Sequence, residues 1–270
     1  MDTIELSDLH QPILQALKDT AVYVLEEFEN FSYDAVQYKS ENDPFTHVDV
    51  NTEKKLKAVL KPLIPGAGFT NEEGDDEASQ NEWIWIIDPI DGTANFTHGI
   101  PYFSMVIALE KAGEVVMGYV YQPYYDHLFH AIKGQGAYLD GKEIRSSANE
   151  SLDKGLVATG FPYANFAWRE AYLELVLEMK VAAHGIRRLG SAALDLAYVA
   201  TGRLDAFFEF DLKPWDVAAG SLIITEAGGK VTDFQGGNNY IYGRNIVASN
   251  GKVHPALLEI IQKYAPQAKS

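Results

Sequence analysis

Trp83-Ile84-Trp85-Ile86-Ile87 is an unbroken run of aromatic and β-branched residues that leads without a spacer into Asp88-Pro89-Ile90-Asp91-Gly92-Thr93. The run predicts a buried strand. Pro89 removes a ladder donor and restricts the residue before it, which predicts that the strand ends at Asp88. A buried strand needs a sizeable core around it, and the chain of 270 residues can build one. At such lengths folding buries roughly three quarters of the unfolded surface, without disulfide or metal staples.

The rest of the chain supplies both helices and strands. Leu9, Ile13, Leu14, Leu17, Ala21, Val24, Leu25 and Phe28 recur at spacings of three and four, which predicts an amphipathic helix over Leu9–Phe28. A second helix is predicted after Asp49, through Leu56, Val59, Leu60 and Leu63, up to the breaker Ile64-Pro65-Gly66. Ser104–Glu110, Val115–Gln122 and His127–Ile132 are separated by turn residues and read as an antiparallel meander. Downstream, helices are predicted at Ala167–Lys180 and at Ser191–Thr201, with Ser191 as N-cap and Gly202 just past the end. Pro214 opens another that closes at Gly228-Gly229, and Pro255 opens the last. Leu204–Phe210, Lys230–Thr232 and Ile246–Ser249 read as strands. Interleaving of this kind indicates an α/β (α+β) chain. No repeat, low-complexity tract or long linker interrupts it. Residues 1–270 are therefore read as one domain, with a soft seam near 145–155 at the polar stretch Ser146–Asp153.

Lys and Arg total 22 against 38 Asp and Glu, a formal charge of −16, which repels phosphate backbones and anionic lipid and so disfavours general nucleic-acid or membrane binding. There is no Cys, which removes disulfides, thiolate metal sites and cysteine nucleophiles and leaves oxygen and imidazole as metal donors. The first residues carry acids where a signal peptide has basic ones, and no apolar run approaches the roughly 20 residues needed to span a bilayer. A cytoplasmic protein is expected.

Asp88 and Asp91 follow directly on the predicted strand, beside the backbone N–H groups of Gly92-Thr93 and the Thr93 hydroxyl. Two carboxylates about 4 Å apart repel by roughly 4 kcal/mol at an effective dielectric of about 20, so such a pair at the end of an apolar strand calls for a cation. A hard ion such as Mg²⁺ suits oxygen donors. Read locally, the same residues also fit a capped turn, since Asp-Gly is common turn chemistry. Glu72-Glu73-Gly74-Asp75-Asp76-Glu77 alone would be a solvated acidic loop. Asp216 alone would be a first-turn helix acid, Asp49 a helix N-terminal acid, Lys39 a surface lysine and Glu209 an edge-strand acid. The seven histidines are scattered and suggest no nucleophile.

Asp-Pro-Ile-Asp-Gly-Thr after a tryptophan and isoleucines, Glu72-Glu73 upstream and Trp215-Asp216-Val217-Ala218-Ala219-Gly220 downstream together resemble the inositol monophosphatase family. The stretch Arg187–Asp205 looks like the bacterial members, and the resemblance spans almost the whole chain. It implies a layered α/β/α/β/α sandwich of the inositol monophosphatase and fructose-1,6-bisphosphatase type. It also implies Mg²⁺-dependent hydrolysis of a phosphate monoester by direct attack of water, with two to three ions. Glu72, Asp88, Asp91, Asp216 and the carbonyl of Ile90 match the family's metal ligands. Glu72 and Thr93 match the groups that orient the attacking water, Asp49 a carboxylate hydrogen-bonded to the site, and Lys39 a nearby positive charge. Gly92 and Thr93 match phosphate donors. Gly190, Ser191 and Ala192 match the segment facing the inositol ring, and Glu209, with Asp216, the carboxylates on the substrate side. The seam would then divide a metal-site half from a substrate-site half. Where the family usually has glycine before the Glu pair this chain has Asn71, which also tolerates left-handed backbone angles.

The expected substrate is a small phosphate monoester, myo-inositol monophosphate first. Fructose 1,6-bisphosphate, NADP or another small phosphate ester is the alternative on the same scaffold, because the metal site reads only the phosphate. A regulatory protein-binding role in transcription complexes is an alternative of another class. The resemblance further implies Li⁺ sensitivity and a homodimer.

Overall fold

The computed structural model describes residues 4–32, 34, 36–40, 43–162 and 166–266. Its helices are α1 (Leu6–Asn30), α2 (His47–Leu60), α3 (Thr93–Thr97), α4 (Arg169–Ala182), α5 (Ala192–Ala200), α6 (Pro214–Glu226) and α7 (His254–Tyr264). A short hairpin, β1 (Gln37–Ser40) and β2 (Asp43–Phe45), precedes the first large sheet. That sheet contains β3 (Gly68–Asn71), β4 (Trp83–Asp91), β5 (Ser104–Lys111), β6 (Glu114–Gln122), β7 (His127–Ile132), β8 (Ala137–Leu139) and β9 (Lys142–Glu143), hydrogen-bonded in that order. β3 runs parallel to β4, and the rest is the antiparallel meander that the sequence predicts. The second sheet takes β10 (Leu156–Thr159), β11 (Gly185–Arg187), β12 (Ala206–Phe210), β13 (Lys230–Thr232) and β14 (Asn245–Ser249) in the order β11-β10-β12-β14-β13.

Burial explains the layering. Along β4 the side chains of Trp85 and Ile87 join one apolar cluster with Ile13, Leu17, Val24, Leu56 and Leu60 of α1 and α2. Ile86, pointing the other way, joins Leu196, Val199, Val217 and Ile223 of α5 and α6. A third cluster packs Tyr172, Leu175, Leu257 and Ile261 of α4 and α7 against Val157, Phe208 and Val247 of the second sheet. The order of layers is thus α1/α2, first sheet, α5/α6, second sheet, α4/α7, an α/β/α/β/α sandwich. Strands covered on both faces read as nearly unbroken apolar runs, which is why β4 to β6 stand out in the sequence. Among the described residues no helix is long and apolar enough to cross a membrane.

Boundaries shift where local chemistry outweighs periodicity. α2 begins at a capping box, with the Thr46 side chain accepting from Val48 N–H and Asp49 accepting from Thr46 N–H, and it stops at Leu60, leaving Leu63 in a turn. The strand predicted to end at Asp88 continues to Asp91. The short strands β3, β8, β9, β10 and β11 escape the sequence reading because two to four residues carry too little alternation.

At Gly118 on β6 the backbone of α6 in the central helix layer comes close to the sheet. A Cβ there would lie 2.8 Å from the carbonyl oxygen and 2.9 Å from the Cα of Ala219 on α6. Backbone cannot yield as a side chain does, so Gly118→Ala is expected to lower stability by about 1–3 kcal/mol in a denaturant melt. An unchanged midpoint would show that the two layers can separate.

Candidate active site

The two aspartates after the apolar run meet because the strand is irregular. Residues three apart on a regular strand face opposite sides. Here Asp88 pairs with Val106 and Asp91 with Ser104, so three steps on β4 oppose two on β5, a bulge at Pro89-Ile90. The extra residue turns Asp91 to the side of Asp88. Asp216 arrives from the other half of the chain. Pro214 opens α6, and the Asp216 carboxylate accepts the N–H of Lys213 at 2.6 Å in the helix's first turn. Carboxylate oxygens of Asp88, Asp91 and Asp216 all lie within 4.8 Å of one another.

Electrostatics marks this cluster as a cation site. Burial raises the Asp88 carboxyl well above the ordinary range, and the charges of Glu72, Asp91 and Asp216 raise it further. Asp216 is likewise raised well above that range, by burial and then by Asp91 and Glu72. Burial also raises Asp91, opposed by hydrogen bonds from Ser191 and from the N–H groups of Ala193 and Ala192. One oxygen of Asp88 is buried with no hydrogen-bond partner. A divalent cation would supply that partner and relieve the mutual repulsion, and a donor set made only of oxygen fits a hard one.

Glu72 follows directly on the end of β3 and lines the cavity next to the cluster. The loop after it is held from α2, where Glu53 accepts the N–H of Glu73 at 2.9 Å. Asn71 adopts no left-handed angle. It is the last residue of β3, and Lys57 donates to its side chain at 3.1 Å, so asparagine's tolerance of left-handed angles is not drawn on there. Gly92 does need its freedom, with φ +98° where the bulged strand turns into α3.

Next to Gly92, the Thr93 hydroxyl lies 2.9 Å from the Ile90 carbonyl and 3.0 Å from the Asp49 carboxylate. Asp49 is fully buried at the start of α2, where the N–H and hydroxyl of Thr46 also donate to it. Burial is the main cause that pushes its carboxyl up to about 6, with the charge of Glu72 adding to it and the hydrogen bonds opposing it. Lys39 lies on β1, but its side chain is outside the described residues.

The opposite wall comes from the C-terminal half. Ser191 caps α5 and donates to Asp91 at 2.5 Å, while Ala192 and Ala193 N–H reach the same carboxylate at 3.2 and 2.8 Å. Asn95 ties the two walls, donating to the carbonyls of Tyr102 and Leu189 at 2.8 and 2.9 Å. A cavity of about 300 Å³ opens between them, lined by Glu72, Asp91, Gly92, Gly190, Ser191, Ala192, Glu209 and Asp216 among others. Glu209, on β12, is pushed up to about 8, by burial first and then by the charge of Asp195. Among the described residues no histidine lines this cavity.

Sequence reasoning missed Asp195. It lines the cavity and is buried, and it accepts the Tyr102 hydroxyl at 2.8 Å. Its signal was present: it is the single charge in the otherwise apolar Ala192–Ala200 helix. Arg188, also on the wall, offsets the charge at Asp195 and Glu209.

A model of the inositol monophosphatase family matches residues 6–266. The chain is 43% identical over 228 residues to the Nus factor SuhB of Escherichia coli, covering 83% of this chain and 85% of that protein. It is 39% identical over 251 residues to an inositol-1-monophosphatase of Caulobacter vibrioides, covering 92% and 98%. Among solved structures, the extragenic suppressor protein suhB of Bartonella henselae superposes with a TM-score of 0.90 at 36% identity, covering 96% of this chain and 100% of that one.

Proposed function

The chain belongs to the inositol monophosphatase family, and from that premise we propose that it converts myo-inositol monophosphate to inositol and inorganic phosphate. It is a Mg²⁺-dependent phosphate monoester hydrolase of that superfamily. The observation that carries the substrate reading is the pairing, across one cavity, of the buried aspartate cluster with a carboxylate wall at Glu209.

In this reading Glu72, Asp88, Asp91, Asp216 and the Ile90 carbonyl hold two to three Mg²⁺. When bound, Mg²⁺ neutralises phosphoryl oxygens, acidifies a bound water and stabilises the departing alkoxide. The protein's own groups do the rest. Asp49 and the Ile90 carbonyl both lie in reach of the single Thr93 proton, which directs that proton away from the cavity so that the oxygen's lone pairs accept from the attacking water, oriented together with Glu72. The N–H groups of Gly92 and Thr93 hold the phosphate. The segment Gly190, Ser191 and Ala192 faces the ring, and Glu209 hydrogen-bonds its hydroxyls, contacts that distinguish a polyol from a bare phosphate ester.

A panel of inositol 1-phosphate, fructose 1,6-bisphosphate and NADP under Mg²⁺ tests the substrate. The highest kcat/KM is expected on inositol 1-phosphate, with inhibition by Li⁺ at roughly tens of millimolar, the range suited to a weakly held hydrated ion. Much faster turnover of the bisphosphate or the nucleotide would overturn the assignment. The same reading makes the protein a cytoplasmic homodimer. It also makes residues 1–270 one domain, supported by a central apolar cluster that draws on both sides of the seam near 145–155.

The similarity to a Nus factor favours a second reading, a regulatory role in transcription complexes. Full biological complementation by inactive Asp88→Asn would establish that role over an essential phosphatase role, and failed complementation would oppose it.

A further inference from the structure

We infer that Gly160 is a positioning residue that sets the place of the Glu209 carboxylate, and with it the enzyme's selectivity for polyol phosphates. The inference rests on the reading of Glu209 as the hydrogen-bond partner of substrate hydroxyls. β10 and β12 run parallel with Thr159 opposite Phe208, so Gly160, the first residue past the end of β10, comes beside Glu209, the next residue of β12. Both line the cavity. A Cβ on Gly160 would overlap the Glu209 carboxyl group, whose two oxygens and Cδ are the three nearest heavy atoms. The carboxylate therefore occupies the space that any other residue's side chain would fill.

The backbone at this point is fixed. Tyr172, a fully buried residue of α4, donates its hydroxyl to the Gly160 carbonyl at 2.9 Å, and the Thr159 hydroxyl donates to the Phe208 carbonyl at 2.8 Å. A methyl at position 160 meets the movable end of a flexible side chain while its own backbone is tied on both strands. Glu209 is the group that gives way, and the fold stays intact.

Gly160→Ala is expected to raise KM for inositol 1-phosphate by about 3- to 10-fold, the loss of a hydrogen-bond partner, with kcat changed much less. Glu209→Asp, one methylene shorter, makes room for the methyl. In the double variant the two KM defects should therefore be less than multiplicative. A crystal structure of Gly160→Ala should show the Glu209 carboxylate displaced from residue 160. Multiplicative defects, or a carboxylate still lying against residue 160 in that structure, would overturn the inference. If the wild type hydrolyses other esters but not inositol 1-phosphate, the substrate reading fails, and the variant's crystal structure alone decides the positioning.

Discussion

Asp88→Asn is expected to reduce phosphate release by about 10³-fold while raising the melting temperature of the protein in EDTA. The two effects have one cause. Asp88 stands among carboxylates within 4.8 Å, with one oxygen lacking any partner. At such a distance each ionised pair repels on the order of 3 kcal/mol at an effective dielectric of about 20. Without metal the cluster opposes folding, and removing one charge relieves it. With metal the same charge helps hold the cations, and losing about 4 kcal/mol of transition-state stabilisation is a rate loss of about 10³. The pH dependence follows in sign. Folded-state pKa values at Asp88, Asp91 and Asp216 are raised, so between the ordinary carboxylate range and those raised values the folded state binds more protons than the unfolded one. Stability contributed by the metal-free cluster therefore rises on acidification and falls as pH rises through the folded values. Asp49 behaves likewise between 3.8 and about 6. The gain from Asp88→Asn should be largest at neutral pH and shrink in acid. Phosphate release at the wild-type rate, or a lower melting temperature in EDTA, would contradict the cation-site account.

Thr93→Val is the second large effect, a fall in kcat of about 10²- to 10⁴-fold, the range of a positioned proton-transfer group. Valine keeps the shape and removes only the hydroxyl that lies 3.0 Å from Asp49 and 2.9 Å from the Ile90 carbonyl. The carboxylate cluster is untouched, so the rise in melting temperature on adding Mg²⁺ should persist. Stability in EDTA should fall by about 1–3 kcal/mol, because buried Asp49 loses a hydrogen-bond partner. Turnover within a few-fold of wild type would remove Thr93 from the mechanism. Loss of the Mg²⁺-induced stabilisation would place Thr93 in the metal site itself.

The fold was legible wherever burial leaves a trace in residue order. Trp83–Ile87 and the strands after it are covered on both faces, and their apolar runs show it. The helix starts at Ser191 and Pro214 were legible because capping is local chemistry. What stayed hidden depends on partners distant in the chain. A spacing of three between Asp88 and Asp91 gives no sign that a bulge against Val106 and Ser104 will bring them to one side. Ser191 and Ala192 could be placed near the site, but their bonds to Asp91, 100 and 101 residues away, are a tertiary fact. Asp195 was passed over inside an apolar helix although a lone buried charge is itself a signal. Gly160 carried no signal at all, since its role exists only beside Glu209.

The central claim, a cation-dependent phosphate monoesterase built on Asp88, Asp91 and Asp216, is tested most directly by phosphate release from inositol 1-phosphate in Mg²⁺, then in EDTA, then after Mg²⁺ is restored. The account predicts turnover that disappears with chelation and returns with the metal. Turnover that persists in EDTA at the Mg²⁺ rate would contradict it.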